Sequence, residues 1–143
     1  MTRERWLIDT GPLVAYADAA DPAHDLVAAT LNGFVGRLYT TAAVVTEAMH
    51  LVGEDADGPA TLAGFLVASG TAVEALMAPP DLQQAVRLMD KYRDTPMDFA
   101  DATLVLLADR LGVTEIATLD RRGFNTYRAA GKKAFRLVLP RAG

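Results

Sequence analysis

The chain has 143 residues and a mass of 15.3 kDa, which suits one domain with a single core, so we expect one domain over residues 1–143. Hydrophobic residues make up 51% of the chain and charged residues 22%, which excludes a wholly disordered protein. The absence of cysteine excludes disulfides, thiolate metal sites and cysteine nucleophiles, and two histidines are too few for a typical imidazole-based zinc site.

The net charge of −4 conceals an uneven distribution along the chain. Residues 1–120 contain all 18 acidic residues and seven basic ones, which gives a formal charge of −11. Residues 121–143 contain the other seven basic residues and no acidic one, which gives +7. This acidic body with a basic tail permits a nucleic-acid ligand, which an evenly spread negative charge would disfavour.

Predicted strands and helices alternate along the chain, which is typical of a parallel sheet covered by helices on both faces. Proline at the first helical position marks the start of the first helix. The pattern predicts strands over 6–9, 38–40, 71–77, 115–120 and 134–140, and helices from Pro12 and over 24–34, 42–52, 60–69, 81–94 and 98–112.

The N-terminal segment does not resemble a secretory signal, because Asp9 and Pro12 interrupt its short apolar run. No stretch reaches the roughly 18–20 apolar residues that a membrane-spanning helix needs. We therefore expect a cytoplasmic protein that does not associate with membranes.

Two acidic residues end predicted strands. Asp9 closes the first strand, and Asp120 closes the strand over 115–120. If these strands are parallel, both carboxylates point into the crevice beyond the strand ends, where α/β proteins bind their ligands. Taken singly, each residue also fits a cap of the turn that follows it.

Three further acidic residues lie on or beside predicted helices. Asp101 falls within the apolar stripe of the helix over 98–112, where an unpaired carboxylate is costly. Asp98 fits the N-cap of that helix, and Glu47 lies between the buried and solvated faces of the helix over 42–52. Converging carboxylates repel one another unless a hard divalent cation binds them. The pattern predicts an Mg²⁺ or Mn²⁺ site that activates water towards a phosphodiester.

Four segments of the chain resemble PIN-domain ribonucleases, and more closely the VapC-type toxins of bacterial type II toxin–antitoxin pairs. The segments are WLIDTGPLVAYAD, TTAAVVTEAMHLV, YRDTPMDFADATLVLLA and EIATLDRRGFNTYR, and the resemblance covers essentially the whole chain. The four acidic positions of the family match Asp9, Glu47, Asp101 and Asp120 in order. The D-x-x-H spacer that begins at Asp21 also fits.

The resemblance implies a three-layer α/β/α fold around a short, mostly parallel sheet. It implies an endoribonuclease that depends on Mg²⁺ or Mn²⁺, with Asp9 and Asp101 as principal metal ligands. Glu47 and Asp120 then complete the site, directly or through water, and Asp98 extends the acidic set. The resemblance also implies an RNA substrate, a homodimer and a VapB-like antitoxin that neutralises the enzyme.

Neighbouring polar side chains are candidates for supporting roles. Thr10 and Thr118 lie beside site acids and can orient ligands or water, although a hydrogen bond to the backbone is the simpler explanation for each. Arg121, Arg122 and Arg128 follow the last site acid and are candidates to hold RNA phosphates, with an ordinary solvated face as the alternative. Under the first alternative, charge reversal at Arg121 and Arg122 weakens RNA cleavage.

The aromatic side chains and the histidines are weaker candidates. Trp6, Phe124 and Tyr127 can stack on bases, but Trp6 fits the core or a dimer contact better. His24 and His50 fit surface or boundary positions better than catalytic ones.

Other functions remain open on the sequence. A receiver-type signalling module needs paired acids after the first strand and a lysine at a later strand end, and LIDTGP and AFRLVLP supply neither. An aspartyl phosphatase needs a second aspartate two positions after Asp9, where Gly11 stands. A housekeeping PIN-domain nuclease without an antitoxin, and a PIN-like domain that only binds RNA or protein, share the same motifs.

Overall fold

Strands and helices alternate through residues 3–141, the part of the chain that the computed structural model describes. Most of them fall where the apolar pattern predicts. They are β1 (Glu4–Ile8), α1 (Thr10–Ala17), α2 (His24–Asn32), β2 (Gly36–Thr41), α3 (Ala42–Val52), α4 (Gly58–Ala68), β3 (Ala72–Glu74), α5 (Pro79–Lys91), α6 (Phe99–Leu111), β4 (Glu115–Ala117), α7 (Arg121–Thr126), β5 (Arg128–Ala129), β6 (Lys133–Ala134) and β7 (Arg136–Leu137).

The central sheet has five strands in the order β3-β2-β1-β4-β7. Every neighbouring pair in it is parallel, with Trp6 opposite Leu38 and Ile8 opposite Ala117. Strands β5 and β6 form a separate antiparallel ribbon. The carboxyl ends of β2, β1 and β4 therefore lie side by side at one edge of the sheet.

Helices cover both faces of the sheet. Leu7 and Ile8 are adjacent in β1 and both are fully buried, although successive side chains of a strand point to opposite faces. Helix α1 packs against α2, α3 and α4, while α6 packs against α5, α3 and β2. The predicted α/β fold with a mostly parallel sheet is confirmed. No helix within residues 3–141 has both the length and the apolar character needed to span a bilayer.

The structure corrects several element boundaries. Helix α1 begins at Thr10 rather than Pro12, because the Asp9 side chain accepts a hydrogen bond from the Thr10 amide and caps the helix. The strand predicted over 115–120 ends at Ala117. Helix α7, which follows Asp120, was missing from the prediction because its six residues, RRGFNT, show no apolar periodicity.

Gly36 begins β2 where this strand runs beside β1. A Cβ added there would overlap the Glu4 carbonyl oxygen and the Phe34 ring, so the strand would have to shift. We expect Gly36→Ala to lower the free energy of unfolding by about 1–3 kcal/mol. Gly64→Ala in α4 is the matched control: an added Cβ meets no atom within 4 Å, so we expect about 0.5–1 kcal/mol of stabilisation. Chemical denaturation measures both, and equal effects would contradict the prediction.

Candidate functional site

The carboxyl ends of β1 and β4 border a cleft of about 450 Å³. The four acids that match the family positions line it, together with Asp98 and one acid that the sequence argument did not assign to the site. None of these lining residues, taken from the described part of the chain, is a lysine or arginine. The carboxylates of the cleft are Asp9, Asp21, Glu47, Asp98, Asp101 and Asp120.

Asp9 is the most deeply buried carboxylate of the cleft, with 6% of its surface exposed. Its Oδ1 accepts a hydrogen bond from the Thr10 amide and its Oδ2 accepts one from the Thr118 hydroxyl, both at 2.8 Å. Burial raises the pKa of Asp9 from 3.8 to about 6, with smaller contributions from the charges of Asp98 and Asp120, while the two hydrogen bonds oppose this rise. Asp9 is therefore held in one orientation, and no lysine or arginine within residues 3–141 pairs with it.

Asp98 and Asp101 form a reciprocal cap at the start of α6. The Asp101 amide donates to Asp98 Oδ1 at 2.8 Å, and the Asp98 amide donates to Asp101 Oδ2 at 3.1 Å. Burial, followed by the negative charges of Asp9 and Asp98, raises the pKa of Asp101 to about 8. The predicted N-cap role of Asp98 is confirmed, and Asp101 is half-buried, as its place on the apolar stripe predicts.

Glu47 and Asp120 reach the cleft from α3 and from the start of α7. The Thr10 hydroxyl donates to Glu47 Oε2 at 3.3 Å, and burial followed by the Asp98 charge raises the pKa of Glu47. Asp120 caps α7, where its Oδ1 accepts a hydrogen bond from the Gly123 amide at 3.0 Å. Capping and a place in the cleft are therefore compatible roles for Asp120, as they are for Asp9.

The two threonines contact the carboxylates directly. The simpler explanation for Thr10, a hydrogen bond from its hydroxyl to the backbone, is wrong because that hydroxyl donates to Glu47. The Thr118 hydroxyl has two partners: it donates to Asp9 Oδ2 and accepts from the Asp120 amide at 3.0 Å. Thr118 thus links the carboxylate that follows β1 to the residue that caps α7.

Replacing Thr118 tests this link. Thr118→Val keeps the shape of the side chain but removes the hydroxyl, so one oxygen of the buried Asp9 carboxylate loses its donor. We expect a loss of about 1–3 kcal/mol in the free energy of unfolding at neutral pH and a further rise in the pKa of Asp9. Thr118→Ser keeps the hydroxyl and is the control. Equal stability of the two variants in urea denaturation at pH 7 would contradict the role given to the hydroxyl.

Asp21 is the acid whose place in the cleft the sequence did not reveal. It lies in the turn before α2, is half-buried, and accepts a hydrogen bond from the Ala23 amide at 2.9 Å. The D-x-x-H spacer marks this position, but the turn role alone explains an aspartate there. Asp21 lies in the turn between α1 and α2, which pack against each other, and its carboxylate lines the cleft.

None of the basic residues described in the tail, over 121–141, is among the residues that line the cleft. Arg121 Nη1 donates to the Leu139 carbonyl at 3.2 Å, and Arg136 pairs with Glu4 at the opposite edge of the sheet. Arg121 and Arg128 are half-buried and donate to backbone carbonyls, whereas the Arg122 side chain is exposed. A contact of these three arginines with RNA phosphates stays a prediction. Arg128 Nη1 donates to the carbonyl oxygens of Asn125, Thr126 and Tyr127.

The aromatic candidates are mostly part of the core. Phe124 and Tyr127 are fully buried, so the prediction that they stack on bases is wrong. The Tyr127 hydroxyl donates to the Pro96 carbonyl at 2.8 Å, and burial, reinforced by the nearby carboxylates, raises the pKa of Tyr127. The half-buried Trp6 stacks on Phe34 at a centroid distance of 3.9 Å.

The donor set of the cleft fits a hard divalent cation. Within residues 3–141, no three acidic or histidine side chains have the spacing of a ready-made metal site. Mg²⁺ does not require one, because it usually binds through one or two carboxylates and keeps several water molecules. The raised pKa values of Asp9 and Asp101 mark carboxylates that lack a neutralising positive charge, which a cation would supply.

A parallel sheet between two layers of helices, with an acidic cleft at its strand ends, is the arrangement expected of a PIN-like domain. No family model matches the chain. Over 133 residues the chain is 37% identical to Ribonuclease VapC26 of Mycobacterium tuberculosis, which covers 92% of this chain and 98% of that protein. The chain therefore belongs to the VapC family of PIN-domain ribonuclease toxins.

A solved structure supports the fold. The crystal structure of Mycobacterium tuberculosis VapC20, a toxin that cleaves the sarcin–ricin loop, matches 96% of this chain and 100% of that one with a TM-score of 0.77 and 21% identity. Family membership and fold together leave no support for the receiver-type and phosphatase alternatives.

Proposed function

We propose that this VapC-family chain is an endoribonuclease that requires Mg²⁺ or Mn²⁺. We further propose that it acts on RNA as the toxin of a type II pair, is neutralised by a VapB-like antitoxin, and forms a homodimer. The observation that carries the proposal is the cleft with six carboxylates and no lining lysine or arginine, in which Asp9 and Asp101 have raised pKa values. Such a cleft binds a polyanion only after a cation has neutralised it.

In this proposal, Asp9 and Asp101 hold the metal ion, and Glu47 and Asp120 complete the site, directly or through water. When bound, the ion supplies positive charge that activates water and offsets the negative charge building on the phosphate. Asp9 and Asp101 extend from two rigid elements, since one follows the central strand β1 and the other lies in the first turn of α6.

Three more residues position these carboxylates in the proposal. The Thr118 hydroxyl fixes Asp9, the Thr10 hydroxyl fixes Glu47, and the Asp98 amide fixes the Asp101 carboxylate by donating to its Oδ2. Each contact restricts a carboxylate to one orientation before metal and substrate arrive, which lowers the entropy lost on binding. Of the three arginines after Asp120, we retain Arg122 as the candidate contact to the RNA backbone, because its side chain is exposed.

Incubation of the purified chain, freed of any antitoxin, with total RNA tests the proposal. We expect cleavage with Mg²⁺ or Mn²⁺ and none with EDTA, with recovery when the metal is restored in excess. Cleavage of equal extent in EDTA would contradict the metal requirement, and no cleavage under any condition would contradict the ribonuclease assignment. Co-expression with the product of an adjacent small reading frame, followed by size-exclusion chromatography, tests the antitoxin and the homodimer.

A further inference from the structure

A second cavity, of about 530 Å³, adjoins the acidic cleft. The two share Glu47 and Asp98, so these carboxylates stand on the wall between them. The rest of the second cavity has a different character, because its lining includes Phe99, Met77 and His50 together with small apolar residues. This volume lies in the range of small-ligand pockets, about 300–1,000 Å³.

The chemistry of this pocket selects an uncharged, flat ligand. Two carboxylates and no lysine or arginine among its lining residues disfavour a phosphate. Phe99 and His50 offer aromatic rings, and Met77 leaves 44% of its surface exposed, which is a large apolar exposure beside a site for a polar ligand. Single-stranded RNA is recognised largely by bases that turn out of the strand and stack on such rings.

The place of Phe99 in the chain connects the pocket to the cleft. Phe99 is the first residue of α6 and lies between Asp98 and Asp101, both of which line the acidic cleft. Because the two cavities share Glu47 and Asp98, a strand whose phosphate lies in the cleft can place a neighbouring base in the pocket. We propose that this pocket binds the base of a nucleotide next to the scissile phosphate and that this base stacks on Phe99, an inference that rests on the proposed ribonuclease function.

Binding of RNA with one base removed at a time tests the pocket. The protein carries Asp101→Asn, which by the proposed function prevents cleavage. A fluorescein-labelled single-stranded oligoribonucleotide is titrated with it in Mg²⁺, and an abasic nucleotide is placed at each position in turn. We expect one abasic position to weaken binding about tenfold. Adding Phe99→Ala should weaken binding of the intact RNA by a similar factor and make that position insensitive.

Matched variants separate stacking from a change in the fold. Val86→Ala removes an exposed apolar residue of α5 outside the pocket and should keep the abasic pattern unchanged. Met77→Ala changes an exposed lining residue, so it tests the pocket even if Phe99→Ala fails to fold, and it should reduce the abasic effect at the same position. Circular dichroism establishes that each variant is folded.

Two results would overturn the inference. One is an abasic pattern that is the same with Phe99, without Phe99 and without Met77. The other is an RNA affinity that these variants leave unchanged while they weaken binding of the antitoxin, which would make the pocket a protein interface. Because the binding measurement has no cleavage step, RNA that is bound but not cut by the unaltered chain contradicts the proposed function alone.

Discussion

Asp9→Asn and Asp101→Asn should each abolish RNA cleavage while leaving the metal-free protein at least as stable as the unaltered chain. Each substitution replaces one of the two proposed metal ligands and so weakens metal binding. The metal ion supplies several kcal/mol of transition-state stabilisation, which is then lost. We therefore expect a fall in cleavage rate of about a thousandfold or more. Cleavage of a labelled RNA in excess Mg²⁺ measures it.

Stability should move in the opposite direction because Asp9 is ionised at neutral pH at a cost to the folded state. The rise in the pKa of Asp9 from 3.8 to about 6 corresponds to about 3 kcal/mol at pH 7. An asparagine there carries no charge, and its amide keeps both contacts, accepting from the Thr10 amide and donating to the Thr118 hydroxyl. We expect Asp9→Asn to gain about 1–3 kcal/mol in EDTA, measured by urea denaturation.

Asp109→Asn is the matched control for Asp101→Asn. Asp109 lies on the same helix, α6, outside the cleft, and burial raises its pKa as well. Its side chain accepts a hydrogen bond from the Ala130 amide, which an asparagine also satisfies. We expect full cleavage activity in Asp109→Asn. Full activity in both Asp9→Asn and Asp101→Asn would contradict the role of these residues as metal ligands. A large loss of activity in Asp109→Asn would show that the loss in Asp101→Asn is not specific to the cleft.

The metal-free protein should lose stability as the pH rises from about 5 to about 8. The folded-state pKa values of Asp9 and Asp101, about 6 and about 8, lie above their ordinary value of 3.8, so the folded state binds more protons than the unfolded state in this window. The free energy of unfolding then falls with increasing pH. Asp81, whose pKa is lowered by the hydrogen bond from Arg110, titrates below this window and does not oppose the trend.

A divalent ion should counteract this loss of stability at higher pH. Because it binds the ionised carboxylates, Mg²⁺ should raise the melting temperature strongly near pH 8 and weakly near pH 5. The increase should disappear in Asp101→Asn and persist in Asp109→Asn. Thermal denaturation across this pH range, with EDTA and with Mg²⁺, checks both statements. Metal-free stability that rises steadily from pH 5 to pH 8 would contradict the account of the cleft.

The strand–helix pattern and the convergence of the four acids could be predicted from the sequence because both follow from local rules. Apolar runs define the strands, and parallel strands bring residues at their carboxyl ends, such as Asp9, to one edge. The apolar stripe of the helix over 98–112 predicts a buried position for Asp101, and the structure has it half-buried.

The features that the sequence argument missed depend on contacts between distant segments. Asp21 lines the cleft from the turn between α1 and α2, two helices that pack against each other. The sequence argument predicts an RNA contact for Arg121 because this residue follows Asp120. In the structure, the Arg121 side chain donates a hydrogen bond to the Leu139 carbonyl, 18 residues away. Phe124 and Tyr127 lie in a polar segment whose burial comes from the fold around it. The pocket beside Phe99 forms between α3 and the segments before α5 and α6, which no local pattern relates.

Helices α1, α6 and α7 begin at the acidic cleft, and a backbone amide in the first turn of each donates to a carboxylate of the cleft: Thr10 to Asp9, Asp101 to Asp98, and Gly123 to Asp120. Each of these amide protons forms a hydrogen bond with a carboxylate, and a metal ion in the cleft would neutralise the negative charge there. Their resonances in a ¹H–¹⁵N spectrum should therefore act as built-in sensors of site occupancy. A titration with Mg²⁺ can be followed at these three positions, one for each helix, and requires neither a labelled metal ion nor an RNA substrate.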